Sequence, residues 1–310
     1  MIRDNYGRPT LNLRISVTQR CNLECVYCHR EGQTPVTTFP TEMSSNEIIR
    51  LTRIALSLGI SRVKLTGGEP LLRPDILQIV KGIAGLRGLR DLSMTTNGNF
   101  LAAQAEALRK NGLMRLNVNL PTLNSRTYQE LNGGDLKGVI EGIRAAVNAG
   151  LHPVKLNMLV LQGVNDAEIP RMIRFAKESE TILQLIELEP VNVEPSFYSR
   201  YHEPLNAVEA DLEARALRVK TREDMQNRRV YFLPEAKVEV IRPTENTEFC
   251  SRCTRLRLTS DGKLKPCLMR NDNLVDILTP LRGGADDKTL TQLFTEAIKR
   301  REPYYKEVNG

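Results

Sequence analysis

Between residues 11 and 189 the chain alternates strand and helix without a break, and this pattern restricts the possible folds more than any other feature. Aliphatic and β-branched runs predict strands over 11–17, 62–66, 92–95, 115–120, 154–160 and 183–189, because they are short, alternate in polarity and are bounded by turn residues. Ser44-Ser45-Asn46-Glu47 has the form of a capping box opening a helix that ends near Gly59. Helical spacing recurs over 100–110 and 136–148, and Asn165-Asp166 caps a helix running to about Glu178. A strand that returns parallel to its predecessor needs a crossover, usually a helix, so the alternation implies a parallel sheet, long enough here to curl into part of a barrel. The expected fold class is α/β: a partial TIM-like barrel of about six βα units over residues 1–200, then a C-terminal module over 201–310. Pro190, Pro195 and Pro204 bracket an irregular segment at that boundary. Beyond it a charged helix over 205–219 and short strands over 230–233, 237–241, 255–259 and 263–267 are expected, the last two as a hairpin about Asp261-Gly262.

The two faces of these strands differ. Leu13, Ile15, Val63, Leu65, Leu92, Met94, Val118, Leu120, Leu156 and Met158 fall on one; Asn12, Arg14, Ser16, Lys64, Thr66, Ser93, Thr95, Asn117, Asn119, Lys155 and Asn157 fall on the other. A closed eight-stranded barrel fills its lumen with branched apolar side chains, so a polar lumen requires another occupant, a ligand with its water. An antiparallel sheet wetted on one face would alternate as well, but helices intervene between nearly every pair of strands. Arg14, Lys64 and Lys155 come from three different strands and share the polar face. Buried cations without partners are costly, so their convergence predicts a polyanion such as a triphosphate. Pairing with Glu187 and Glu189, which share one face of their strand, is the alternative.

Six cysteines form two triplets, Cys21/Cys25/Cys28 and Cys250/Cys253/Cys267, with none between. No apolar run is long enough to cross a bilayer and the opening residues carry no apolar signal core, so the expected compartment is the cytoplasm, where thiols are expected to serve as metal ligands rather than bridges. Four-iron clusters usually take four thiolates, so a set of three leaves one iron open for chemistry. For the second triplet zinc is the alternative, yet zinc wants a fourth ligand, and His29, His152 and His202, the only histidines, are all distant from Cys250 in sequence. A formal charge of +7 implies an anionic partner. With no Trp and no basic block, a bounded anion site is expected, with neither nucleic acid nor membrane as partner.

Cys21-x3-Cys25-x2-Cys28, with Tyr27 before the last cysteine, resembles the signature of the radical S-adenosylmethionine superfamily, and Gly67-Gly68-Glu69-Pro70 at the end of the second strand resembles its methionine-binding loop. That resemblance implies an open iron that chelates the methionine part of S-adenosylmethionine and delivers an electron, giving a deoxyadenosyl radical. The stretch Phe249-Cys250-x2-Cys253-x-Arg255-Leu256-Arg257-Leu258-Thr259, continuing through Asp261-Gly262-Lys263-Leu264 to Cys267-Leu268, closely resembles the C-terminal motif of the GTP 3′,8-cyclase family of molybdenum cofactor biosynthesis. Leu13-Arg14-Ile15-Ser16-Val17-Thr18, Thr95-Thr96-Asn97-Gly98 and Val164-Asn165-Asp166 fit family segments in order, so the likeness spans almost the entire chain.

The family resemblance implies two 4Fe-4S clusters, the first on Cys21, Cys25 and Cys28 and the second on Cys250, Cys253 and Cys267, the latter meeting the guanine base. It implies GTP contacts at Arg14, Lys64, Thr95, Lys155, Arg255, Leu256 and Arg257, with Arg255 and Arg257 catalytic, and S-adenosylmethionine contacts at Tyr27, Gly68, Asn119 and Glu189. The implied reaction abstracts hydrogen from C3′ of GTP and joins that carbon to C8, giving (8S)-3′,8-cyclo-7,8-dihydroguanosine 5′-triphosphate. Implied partners are an external electron donor and the cyclic pyranopterin monophosphate synthase that takes the product, with the chain a monomer or homodimer. Lys64 replaces a family arginine and keeps the charge without the bidentate fork. Asn119 stands where serine is common and Glu189 where methionine is common, and the chain ends Asn309-Gly310 in place of two glycines. Two rival readings are a radical peptide-modifying maturase, whose C-terminal module usually carries more than three cysteines, and a zinc-stabilised nucleotide sensor.

Overall fold

The computed structural model describes residues 2–34 and 42–305. Its strands are β1 (Asn12–Ser16), β2 (Arg62–Thr66), β3 (Asp91–Thr96), β4 (Arg115–Asn119), β5 (Val154–Val160), β6 (Ile182–Glu187), β7 (Arg218–Arg222), β8 (Arg228–Phe232), β9 (Lys237–Ile241), β10 (Arg255–Leu258), β11 (Lys263–Lys265) and β12 (Val275–Asp276). They form one open sheet in the order β12-β11-β10-β1-β2-β3-β4-β5-β6-β9-β8-β7. Strands β1 to β6 run parallel in sequence order, and two strands from beyond residue 200 extend them, β10 parallel to β1 and β9 parallel to β6. Antiparallel pairs finish both edges.

The apolar face packs under helices. Each of its ten residues named above is at most 1% exposed. They join one core with Ile48 and Leu51 of helix Ser45–Ser57, Ile79 and Ile83 of helix Ile76–Ala84, and Val139 and Ile143 of helix Leu136–Asn148. Burial of a Leu, Ile or Val side chain contributes about 1.5–3 kcal/mol, so this face holds the helices on and leaves the polar face to line the interior. Ser44 caps its helix as expected, with the reciprocal Glu47 contact closing the capping box.

Several elements differ from expectation. The charged helix stops at Arg215, and residues from Arg218 form β7 instead. Pro195, read as a breaker, opens helix Pro195–Tyr201, because proline in the first turn lacks only an N–H that would be unpaired anyway. Helices Ile76–Ala84, Ser125–Asn132 and Asp287–Lys299 are additional to the expected elements. Strand β6 ends at Glu187, which leaves Glu189 beyond the strand.

Candidate active site

The polar face is a continuous hydrogen-bonded surface. Lys64 Nζ donates to Asn117 Oδ1 at 2.6 Å, and Asn117 Nδ2 donates to Gln184 Oε1 at 2.6 Å and Asn157 Oδ1 at 3.0 Å. Asn157 Nδ2 continues to Asn119 Oδ1 at 3.0 Å. Lys155 and Gln184 both donate to Glu239 Oε2, while Arg222 Nη1 reaches Glu239 Oε1 at 3.1 Å. Burial alone would raise the Glu239 carboxyl; Lys155, Arg228 and Arg222 outweigh it and hold the group at about 2. The expectation that Arg14, Lys64 and Lys155 converge without carboxylate partners is corrected for Lys155, which pairs with Glu239; the alternative partners do not supply the counterion, since Glu187 meets His202 at 2.8 Å and Arg242 at 3.8 Å. Glu239 was missed because it lies in the short strand β9; its signal is a lone carboxylate between two buried valines, Val238 and Val240.

On the other side, parallel pairing sets Arg14 beside both Arg257 and Lys64, and Asn12 beside Arg255. Leu256 points the opposite way and is fully buried, so only its backbone can face this chamber. Thr95 pairs with Asn117 on the same sheet. Burial, then Arg115, Arg14 and Lys155, pull Lys64 well down; burial, then Arg228, Arg14 and Arg257, do the same for Arg255. Arg14 Nη1 has a carboxylate neighbour that the sequence did not announce, Glu31, at 3.4 Å, and Arg257 Nε lies 3.8 Å from the same carboxylate. Against the upward push of burial, Arg14, His29 and Arg257 hold Glu31 at about 2. The chamber therefore gathers more cations than carboxylates, and Arg257 Nε is buried without a hydrogen-bond partner among the described residues.

The cysteine triplets sit at opposite ends of these strands. Cys21 follows the C-terminal end of β1, whereas Cys250 and Cys253 precede β10, its parallel neighbour. Five residues of strand at about 3.3 Å each separate the ends by roughly 16 Å, the scale of a nucleotide. In the first triplet burial pushes the Cys25 thiol up to about 12, with Cys28 and Cys21 adding, so the three sulfurs feel one another. Glu69 of the Gly67-Gly68-Glu69-Pro70 loop is 1% exposed and accepts from Thr96 Oγ1 at 2.7 Å, Asn97 N at 2.7 Å and Leu71 N at 3.0 Å. Burial carries its carboxyl up to about 7. Gly68 donates to Thr18 O at 2.8 Å and Glu69 to Arg20 O at 2.8 Å, and a Cβ on Gly68 would overlap the Arg20 carbonyl. The glycines thus serve close backbone packing on the entry to the cysteine loop. Tyr27 is anchored by its hydroxyl donating to Asn132 Oδ1 at 2.6 Å, and Asn119 is exposed at the end of β4.

The second triplet lines one cavity together with Arg255, Arg257, Arg301, Glu189 and Tyr304. Glu189 thus stands at the wall of this cavity. Burial raises Cys250, with Cys253 and Cys267 adding. Arg301, Arg255 and Arg8 pull Cys253 down against burial, which favours its thiolate. Arg8 Nη1 donates to Cys250 O at 2.8 Å and Arg301 Nη2 donates to Cys253 O. Three mutually close thiols, guanidinium groups that offset their charge, and no histidine or fourth cysteine on the wall fit an under-coordinated cluster. Among the described residues no three His, Cys, Asp or Glu side chains are gathered closely enough to hold a single metal ion. Asn309 and Gly310 lie outside the described residues.

A parallel α/β sheet with a cysteine triplet after its first strand defines a radical S-adenosylmethionine protein, and the Radical SAM superfamily matches residues 15–176. Solved structures of Streptococcus suis SuiB share the fold. The S-adenosylmethionine complex has a TM-score of 0.65 at 19% identity over 92% of this chain and 68% of SuiB. The precursor-peptide complex scores 0.64 at 18% identity over 85% of this chain and 60% of SuiB. Within that class the chain belongs to the GTP 3′,8-cyclase family. The Molybdenum Cofactor Synthesis C family matches residues 181–307. The chain is 50% identical to a probable GTP 3′,8-cyclase of Thermococcus kodakarensis over 99% of this chain and 100% of the relative. It is 47% identical to another from Methanothermobacter thermautotrophicus over 98% of this chain and 99% of that relative.

Proposed function

We propose that this chain converts GTP to (8S)-3′,8-cyclo-7,8-dihydroguanosine 5′-triphosphate in the chamber between its two thiol triplets, a step of molybdenum cofactor biosynthesis. The observation that carries the reading is the surplus of buried and half-buried cations on a polar strand face with a triplet at each end, Lys64 donating to the amide oxygen of Asn117 rather than to a carboxylate. Cys21, Cys25 and Cys28 would hold one 4Fe-4S cluster and Cys250, Cys253 and Cys267 the other, the two clusters and S-adenosylmethionine supplying one-electron and hydrogen-abstracting chemistry when bound. Tyr27, Gly68, Asn119 and Glu189 are the proposed S-adenosylmethionine contacts. Glu69 ties the end of β2 to the Thr96-Asn97 turn after β3, which fixes that loop beside Cys21.

Arg14, Lys64 and Lys155 would bind the triphosphate, joined by Thr95, the backbone of Leu256, Arg255 and Arg257. Their cationic side chains are held by the sheet before any ligand arrives, so little ordering entropy is lost on binding. Arg255 and Arg257 would act as the catalytic pair, holding the base and phosphates while the ribose lies between the ends. Stacking the substrate along the polar face excludes water from the reacting carbons. The division at about residue 200, an external electron donor, transfer of product to the cyclic pyranopterin monophosphate synthase, and a cytoplasmic location as a monomer or homodimer complete the proposal. Among the described residues no helix is long and apolar enough to cross a membrane.

The test is an anaerobic incubation of reconstituted protein with GTP, S-adenosylmethionine and a strong reductant, following deoxyadenosine and nucleotide together. Matched formation of deoxyadenosine and cyclised nucleotide is expected. Deoxyadenosine formed while GTP is recovered unchanged would sink the reading.

A further inference from the structure

Glu31 is a buried carboxylate that the proposed reaction leaves without a task. It lies three residues past Cys28 in a loop where Arg30, Glu31 and Gly32 all have positive φ, 48°, 52° and 68°. That region costs a residue with a side chain about 1–2 kcal/mol, and such strain persists only where the surroundings enforce it. Here they do. Asn192 Nδ2 donates to His29 O at 3.0 Å and Gln33 O at 2.8 Å, and Gln33 Nε2 donates to Ser16 Oγ at 2.9 Å. Gly32 sits so close to the carbonyl of Leu268 that a Cβ would overlap it, so the loop leaving the first triplet rests on the residue after Cys267.

This backbone sends the Glu31 carboxylate toward two arginines that are register partners on adjacent parallel strands, Arg14 and Arg257. The grip is slack. Arg14 Nη1 stands 3.4 Å from each oxygen and Arg257 Nε 3.8 Å from one, against about 2.7–2.9 Å for a firm charge-assisted hydrogen bond. A second buried carboxylate, Glu239, behaves differently: it is held by Lys155, Gln184 and Arg222 together. The guanidinium groups of half-buried Arg14 and buried Arg257 repel each other, and a slack carboxylate relieves that repulsion without filling their hydrogen-bonding forks.

We propose that Glu31 is a stand-in anion, which neutralises Arg14 and Arg257 until substrate binds and then surrenders them to its phosphates. It is a positioning residue that selects for highly charged ligands: a polyphosphate offers enough charge to displace the carboxylate, and an uncharged nucleoside does not. The inference rests on reading the chamber as the triphosphate site. It gives the strained loop a purpose, since the backbone must hold the carboxylate near the arginines without letting it close on them.

The test is equilibrium binding to anaerobically reconstituted protein without S-adenosylmethionine, comparing GTP with guanosine in wild type and Glu31→Gln. The variant should bind GTP about tenfold more tightly, equivalent to about 1.4 kcal/mol, with guanosine changed by less than about twofold. Equal or weaker GTP binding in a variant with wild-type iron content overturns the inference and makes Glu31 a scaffold residue. Should Glu31→Gln lose iron or fold, Glu31→Asp replaces it: withdrawn by one methylene, its carboxylate should release GTP binding about threefold, and weaker binding counts against the idea. Wild-type protein that binds no GTP at all would remove the chamber reading and this inference together.

Discussion

Glu239→Gln isolates what the buried carboxylate contributes to the fold. The substitution keeps shape and polarity while removing the charge, so it imitates the protonated carboxyl. Lowering that carboxyl from its ordinary 4.5 to about 2 corresponds to about 3 kcal/mol of stability at neutral pH. An independent route agrees: breaking a buried ion pair by removing one partner costs about 3–5 kcal/mol, here because Lys155 and Arg222 lose their counterion. The sign follows from the depressed value. The contribution is complete above pH 4.5 and is lost as pH falls toward 2, to less than half near pH 3. Urea unfolding of the metal-free, reduced chain at pH 7 and at steps down to pH 3 measures it. Wild type should exceed the variant by about 3 kcal/mol at pH 7, with the gap closing on acidification. A gap below about 1 kcal/mol, or one constant across the range, would refute the reasoning.

Three further perturbations probe the site. Arg14→Ala and Lys155→Ala should each weaken GTP binding about tenfold to a hundredfold, since hydrogen bonds to charged groups contribute about 1.5–3 kcal/mol; calorimetric titration showing unchanged affinity in both would move the triphosphate elsewhere. Cys250→Ser should leave uncoupled cleavage of S-adenosylmethionine running while cyclisation stops, and chromatography showing both products lost would assign the second triplet a structural role instead. Gly68→Ala should drive the new methyl into the Arg20 carbonyl and displace the cysteine loop; iron analysis should fall from roughly eight to roughly four per chain, and full iron content would show that the loop tolerates the shift.

The division of labour between sequence and tertiary structure is visible in single residues. Period-two alternation placed Leu13, Val63, Leu92 and Leu156 in the core and their neighbours on the polar face, because a strand's side chains alternate whatever it packs against. Both cysteine triplets and the convergence of Arg14, Lys64 and Lys155 were likewise legible from spacing and local pattern. Counterions were not. Glu239 reaches Lys155 across 84 residues, and Glu31 reaches Arg257 only because β10 docks beside β1. Sequence alone determined the class of fold, the two cysteine triplets and the sign of charge in the chamber, all properties of short stretches read by local rules. Which carboxylate answers which cation, how tightly, and that strands from beyond residue 200 close both flanks of the parallel sheet were decided only in three dimensions, since ion pairing depends on distances that no spacing along the chain encodes.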